Sequence, residues 1–261
     1  MAGAGEDDVG AERGGGGAER APDAQVAAIV GELATTEDAA PQRLKGPLSR
    51  LAGVLRRGFS GGGRGAQLTG QWLVDQVLAM APRLPVRDQA TLWRQHPGLS
   101  ADELADVLIE GAARASGAIG GAVGVWAVLP VAPLFAVEVA TETVAVVGIE
   151  IKLIAELHEV YGLRAPGSGV ERMISYTSAW ADRRGVSLAP GTIALAIGPA
   201  LRGRLTRRLT RRAARSTISL GPLLSGAAAG AWANRRETRR LGRTVRAQLQ
   251  RAVSEGRLLE G

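Results

Sequence analysis

Residues 115–137 constrain the fold more than any other feature, because they hold no charged residue in 23 positions. A straight helix of that length would be about 34 Å long, enough to cross a bilayer. Pro130 and Pro133 interrupt the run, and a proline inside a helix removes a backbone hydrogen bond and clashes with the preceding turn. The run therefore predicts a helical hairpin, with one arm ending near Leu129 and the second extending from about Pro133 to Tyr161.

A capping signal precedes the first arm. In Ser100-Ala-Asp-Glu103 the serine hydroxyl is expected to accept a hydrogen bond from the Glu103 backbone N–H, while the glutamate reaches back to Ser100. This capping box predicts a helix that begins at Ala101. Along the second arm the apolar positions recur at helical spacing: Val144, Val147, Ile151, Ile154 and His158.

The apolar content of the chain is aliphatic. Hydrophobic residues make up 46% of the sequence and aromatic residues only 3%, and there are 36 glycines. This composition favours thin helices in close contact over sheets built on Tyr and Phe. We therefore predict an all-α fold, a Gly/Ala-rich helical bundle with a Pro-interrupted hairpin and a disordered N-terminus.

The sequence offers little material for catalytic or metal chemistry. It holds no cysteine, which excludes disulfides, thiolate zinc sites, iron–sulfur clusters and cysteine nucleophiles. Its two histidines are His96 and His158. His158 precedes Glu159, but Gly162 stands where the HExxH zinc motif requires a second histidine. We predict a core or capping role for His158, no role for His96, and neither a metal nor a cofactor.

Composition divides the chain into four segments. Residues 1–40 are an acidic Gly/Ala-rich tail, whose first 24 residues are expected to be disordered and to precede a short helix. Residues 41–66 predict a basic amphipathic helix and a Gly-rich linker, residues 67–250 a helical domain, and residues 251–261 a C-terminal tail. No basic segment precedes an apolar one at the start, so we expect no secretory signal peptide.

The net charge of +7 conceals a strong asymmetry along the chain. The first 40 residues carry a net charge of −7, and residues 101–150 carry −6. Residues 202–261 carry +12, and all fifteen of their basic residues are arginine. A basic end of this density indicates an anionic partner, namely a membrane surface, a nucleic acid or an acidic protein.

Small residues at spacings of three and four predict close helix packing. Gly117, Gly120, Gly121 and Gly124 lie on the first arm, and the same spacing recurs at Gly226 and Gly230. Such positions let two helix backbones approach closely. A tightly packed bundle helix and plain compositional drift are the alternatives. A phosphate-binding loop is excluded because no Gly-Lys-Ser/Thr follows the glycines.

The sequence contains two arginine clusters, residues 202–215 and 235–246. Each cluster comes directly after an uncharged, largely apolar run. Eight of their arginines are predicted to contact an anionic membrane surface or partner: Arg207, Arg208, Arg211, Arg212, Arg235, Arg236, Arg239 and Arg240. The uncharged runs 185–201 and 216–234 are at the lower limit of spanning length and predict shallow insertion or burial. Neither cluster contains an aromatic residue for base stacking, although nucleic-acid binding and a solvated basic face stay open.

Glu138 and Glu142 lie one turn apart on an otherwise apolar arm. Paired carboxylates perform acid–base chemistry in some enzymes. Without a nucleophile or a partner motif, contact with arginines of the C-terminal helices is the prediction that we favour for both.

The arrangement resembles the EcsC family, a group of bacterial helical proteins without an established biochemical activity. The resemblance covers about residues 100–250 and rests on three stretches: GAIGGAVGVWAVLPVAP, IKLIAELHEVYGL and GPLLSGAAAGAWANRRETRRLGRTVRAQL. Tyr161-Gly162 fits the end of the family's second arm, and Asn234, Thr238 and Gly242 fit its C-terminal helix. The extra arginines and the long acidic N-terminus depart from the family pattern. The resemblance implies a genetic association with an ABC exporter and carries over no catalytic residue.

We therefore expect a non-enzymatic accessory or interaction protein at the cytoplasmic face of a bacterial membrane, peripheral or shallowly inserted. Its expected partners are an anionic membrane surface and, as the resemblance implies, a membrane protein such as an ABC transporter. Two alternatives stay open. One is a soluble nucleic-acid-binding protein that uses the C-terminal arginine helices, and the other is an enzyme that uses Glu138 and Glu142.

Overall fold

The structure is a computed structural model that describes residues 22–35, 41–60, 70–126, 132–184 and 221–260. All regular structure in these residues is helical, which confirms the all-α prediction. The eight α-helices are α1 (Pro22–Thr35), α2 (Pro41–Ser60), α3 (Gly70–Met80), α4 (Gln89–Gln95), α5 (Ala101–Trp126), α6 (Ala132–Val160), α7 (Gly169–Arg184) and α8 (Gly221–Glu260). A 3₁₀ turn, Ala81–Arg83, follows α3.

The predicted helical hairpin is formed by α5 and α6. The capping box starts α5, since the Ser100 N–H donates to the Glu103 carboxylate at 2.8 Å and the Glu103 N–H donates to the Ser100 hydroxyl at 3.3 Å. Helix α5 ends at Trp126 and α6 begins at Ala132, with Pro133 in its first turn, so the break is confirmed. Pro130 lies outside the described residues.

Helix α6 is the centre of the fold and contacts each of the other seven described helices. Its apolar residues at helical spacing are buried in one continuous core, including Val144, Ile151 and Ile154. Because neighbours surround α6, its charged residues are buried as well. These buried charged residues form hydrogen bonds and ion pairs with neighbouring elements, which are described below.

The two N-terminal helices belong to the same core. The acidic tail expected over residues 1–40 is helical from Pro22 to Thr35. This helix packs on the bundle, because Val26, Val30 and Leu33 form an apolar face that is buried. The apolar face of the predicted amphipathic helix α2 is also buried, with Leu48 and Leu51 in the core. That face is used for internal packing.

Helix α8 is longer than its sequence suggests. The tail expected at residues 251–261 is helical as far as Glu260, because the polar sequence there continues α8. Four expectations lie wholly or partly outside the described residues: the first 21 of the 24 residues expected to be disordered, the Gly-rich linker beyond Ser60, the uncharged run 185–201 and the arginine cluster 202–215.

Candidate functional site

The contact between α5 and α8 is the most extensive helix pairing in the described structure. A Cβ added to Gly117 would lie 3.0 Å from the carbonyl oxygen of Ala231, and one added to Gly120 would lie 2.8 Å from that of Gly230. The two backbones touch because these positions lack side chains. The predicted role of Gly117, Gly120 and Gly230 in helix packing therefore corresponds to an observed contact.

The other glycines of the predicted set have less defined surroundings. Gly121 lies on α5 and is half-buried, and Gly124 lies in the last turn of the same helix. Gly226 lies in α8, four residues before Gly230. Gly242, which the resemblance singled out, packs on Ile109 of α5 and would place a Cβ 2.7 Å from that side chain.

Acidic residues of α5 pair with arginines of α8 further along the same interface. Glu110 accepts hydrogen bonds from Arg239 at 2.7 and 3.0 Å and also pairs with Arg235. Arg246 pairs with Asp106 and lies 3.7 Å from Asp102. Burial opposes the ionisation of Glu110, but its hydrogen bonds and charge interactions with both arginines outweigh burial and lower its pKa. The acidic and basic segments of the sequence therefore neutralise each other in part.

Two polar residues of α8 that fit the family resemblance face the hairpin. The Asn234 amide donates to Glu142 at 2.9 Å, and the Thr238 hydroxyl donates to Glu150 at 2.9 Å. Glu142 was expected to meet an arginine of the C-terminal helices. The Asn234 amide on α8 is one of its partners. Glu138 is buried one turn earlier on α6.

Glu150 is the residue at which α6, α7 and α8 meet. Its side chain is 2% exposed and accepts hydrogen bonds from the Trp180 indole at 2.8 Å and the Arg184 guanidinium, in addition to Thr238. Arg184 also contacts the Glu237 carboxylate of α8 at 3.3 Å. The role of Glu150 could not be identified from the sequence, because its partners lie 30 or more residues away in the chain.

Glu156 anchors the segment between α3 and α4 to α6. The backbone N–H and the guanidinium of Arg87 donate to it at 2.8 to 3.1 Å, and Lys152 contacts it from the preceding turn. Burial opposes its ionisation, but the hydrogen bonds and charges of Arg87 and Lys152 outweigh burial and lower the pKa of Glu156. These contacts are structural, since all their members are held within the bundle.

The helical repeat of α8 separates its arginines into two sets. Arg235, Arg239 and Arg246 turn towards α5, as described above. The second set is exposed and makes no ion pair with another described residue, and we call it the arginine face: Arg236, Arg240, Arg243 and Arg251. With Arg239, it lines an open groove of about 520 Å³ on α8.

Trp232 precedes the arginine face by one helical turn. It is 62% exposed, the largest exposure of any large hydrophobic side chain in the described residues. The Arg236 guanidinium lies over its ring, 5.1 Å from the ring centroid, in a cation–π contact. An exposed indole next to guanidinium groups that make no ion pair within the described residues forms a surface with both apolar and cationic character.

The predicted arginine set corresponds only in part to this surface. Arg236 and Arg240 belong to the arginine face, whereas Arg235 and Arg239 are engaged by Glu110. Arg207, Arg208, Arg211 and Arg212 lie outside the described residues. Sequence reasoning missed three members of the surface: Trp232, Arg243 and Arg251. Assigning each arginine to a helical face, at spacings of three and four, would have identified the latter two.

His158, for which the sequence predicted a core or capping role, is half-buried in the last turn of α6. Its ring stacks on Tyr176 with centroids 4.7 Å apart, and its buried Nδ1 has no hydrogen-bond partner among the described residues. Burial, with a smaller effect from the charge of Arg183, lowers the pKa of His158 to about 4. His96 ends α4.

The described residues contain no group of three or more His, Cys, Asp or Glu side chains arranged to hold a metal ion. Within the same residues, no helix combines the length and apolarity that a membrane span requires. Comparisons of the chain with protein-family models, curated proteins and solved structures give no match. Function is therefore inferred from the surface of α8 itself.

Proposed function

We propose that the protein is a non-enzymatic, membrane-associated accessory or interaction protein, which binds an anionic membrane surface at the cytoplasmic face of the membrane. The observation that carries the proposal is the arginine face, four exposed guanidinium groups that follow the exposed indole of Trp232. The EcsC resemblance and a membrane-protein partner such as an ABC transporter remain parts of the same proposal.

The charge pattern of α8 supports this function. Three arginines of the helix are paired with carboxylates of α5, so the arginine face carries the positive charge that internal pairing leaves over. Each arginine close to an anionic bilayer contributes about 1 kcal/mol to binding. Tryptophan favours the headgroup region of a bilayer, where its amphipathic ring contacts both apolar and polar groups.

The test is the binding of the full chain to vesicles of phosphatidylcholine with and without phosphatidylglycerol. We expect binding to the anionic vesicles and a large loss of affinity when the four residues of the arginine face are replaced by glutamine. The matched control replaces four other arginines, Arg43, Arg83, Arg94 and Arg172, which lowers the net charge equally. Similar losses for both variants would contradict a specific role for the arginine face.

A competitor separates the membrane from a nucleic acid, the closest alternative, because phosphate contacts make both interactions salt-dependent. Duplex DNA at equal phosphate concentration should leave the protein on anionic vesicles. If DNA removes the protein from them and neutral vesicles bind none, nucleic-acid binding replaces the proposed function.

A further inference from the structure

A cavity of about 360 Å³ lies between the first half of α7 and the two connecting segments that precede α4 and α7. We call it the α7 pocket. Its apolar lining includes Leu84, Met173 and Tyr176, which are 6%, 7% and 4% exposed. Liquid water occupies about 30 Å³ per molecule, so the cavity has room for about twelve groups of that size. A concave site of this size with an apolar lining is suited to a small organic ligand.

The lining of the α7 pocket also includes three guanidinium groups and two carboxylates. The carboxylate of Asp88 accepts a hydrogen bond from the Thr91 backbone N–H at 2.8 Å. The carboxylate of Glu159 accepts from the Gln89 backbone N–H at 3.0 Å and from the Arg164 guanidinium at 2.8 Å. Both acidic groups therefore have donors within the protein, and the lining keeps a net positive charge.

Arg172 is the guanidinium of this lining with donors left over. Its Nη1 donates to the Gly167 carbonyl oxygen at 3.0 Å, and it forms no ion pair with another described residue. The other two guanidinium groups of the lining are each paired with a carboxylate of α6. The remaining N–H groups of Arg172 thus offer a planar set of donors beside an apolar lining, and a carboxylate is the group that such donors bind best.

We propose that the α7 pocket binds a small amphiphile that carries one carboxylate and an apolar chain of about eight carbons. The carboxylate pairs with Arg172, and the chain covers Leu84, Met173 and Tyr176. A molecule of this class has about ten non-hydrogen atoms, which a cavity with room for about twelve water-sized groups accommodates. The pocket shares no residue with the arginine face of α8, so this binding activity is additional to the proposed function and does not depend on it.

The binding of octanoate to the full chain, measured by titration calorimetry, tests the class of ligand. Octanamide has the same number of non-hydrogen atoms but no charge, and we expect it to bind at least about tenfold more weakly. Affinity should rise about three- to fourfold for each methylene group from butyrate to octanoate, because each one buries further apolar surface. Equal affinities for octanoate and octanamide, or a parent protein that binds no octanoate, would overturn the proposal.

Two arginine variants locate the site. Arg172→Gln should weaken octanoate binding about tenfold and leave the weaker octanamide binding unchanged, which also shows that the pocket is still formed. Arg43→Gln removes the same charge from an exposed position on α2 and is the matched control, with the affinity of the parent. Equal affinities of the two variants for octanoate would overturn the assignment to Arg172. A protein that binds octanoate in this way and binds no anionic vesicle would keep the α7 pocket and overturn the proposed function alone.

Discussion

Gly120 and Gly230 lie so close together that a Cβ added to Gly120 would come within 2.8 Å of the Gly230 carbonyl oxygen. This contact fixes the position of α8 along the length of α5. Trp232 and Arg236 follow Gly230 within two turns, so the contact also determines where the arginine face begins relative to α5. Packing and the proposed surface are therefore connected through one pair of glycines.

Gly120→Ala should destabilise the protein by about 1–3 kcal/mol, because the added methyl group overpacks a contact made by backbone atoms that cannot move aside. The free energy of unfolding from urea denaturation measures the effect. Gly256→Ala is the matched control, since a Cβ there meets nothing within 4 Å. This control should be neutral or stabilising by up to about 1 kcal/mol through its higher helix propensity. Equal stability of Gly120→Ala and the parent would contradict the close contact.

Glu150→Gln should cost about 3 kcal/mol or more, because it leaves the half-buried guanidinium of Arg184 without its buried carboxylate. The amide can still accept hydrogen bonds from Trp180 and Thr238, so the loss reports mainly the charge. Glu237→Gln removes the other carboxylate that contacts Arg184 and should cost less than about 1 kcal/mol, since the Glu237 side chain is exposed. Unfolding followed by Trp fluorescence compares the two variants, and equal costs would argue against Glu150 as the dominant partner.

The local features of the fold could be predicted from the sequence. The capping box at Ser100 and Glu103, the break near Pro133 and the buried apolar face of α6 each depend on residues within a few turns of one another. Short-range hydrogen bonds and hydrophobic periodicity determine such features wherever the segment lies in the fold. The sequence therefore predicts the helical hairpin and the approximate ends of its two arms.

The long-range pairing could not be predicted in the same way. Glu110 and Arg239 are 129 positions apart, and their contact depends on the antiparallel alignment of α5 and α8. The net charges of −6 for residues 101–150 and +12 for residues 202–261 indicate that the two segments are complementary. They do not identify which arginines pair with carboxylates. For this reason the predicted set combined Arg235 and Arg239, which pair with Glu110, with Arg236 and Arg240, which are exposed.

Glu110→Gln should strengthen binding to anionic vesicles several-fold if the membrane is the partner. The substitution frees Arg235 and Arg239, which lie close to Trp232 along α8, and each freed arginine near the surface is worth up to about 1 kcal/mol. Asp182→Asn on α7 changes the net charge by the same amount and provides the control. A smaller increase for Glu110→Gln than for Asp182→Asn would show that these two arginines take no part in binding.

His158 should make the stability of the protein depend on pH between about 4.5 and 6.5. Its pKa is about 4 in the folded protein, mainly because of burial and also because of the nearby Arg183, and 6.5 is the ordinary value. The unfolded chain therefore binds the proton more tightly, so the free energy of unfolding has its full value above pH 6.5 and falls as the pH decreases towards 4.

The expected slope is about 1.4 kcal/mol per pH unit and the total about 3 kcal/mol. Carboxylates with lowered pKa values, such as Glu156, add a loss of stability of the same sign below about pH 5.5, so the difference between the parent and a His158 variant isolates the histidine. Urea denaturation at several pH values should show the slope in the parent and a much smaller one in His158→Gln, with His96→Gln as the control for losing an imidazole. A parent protein whose stability is constant from pH 7 to pH 5 would mean that His158 is solvated, and that its stack on Tyr176 does not exclude water.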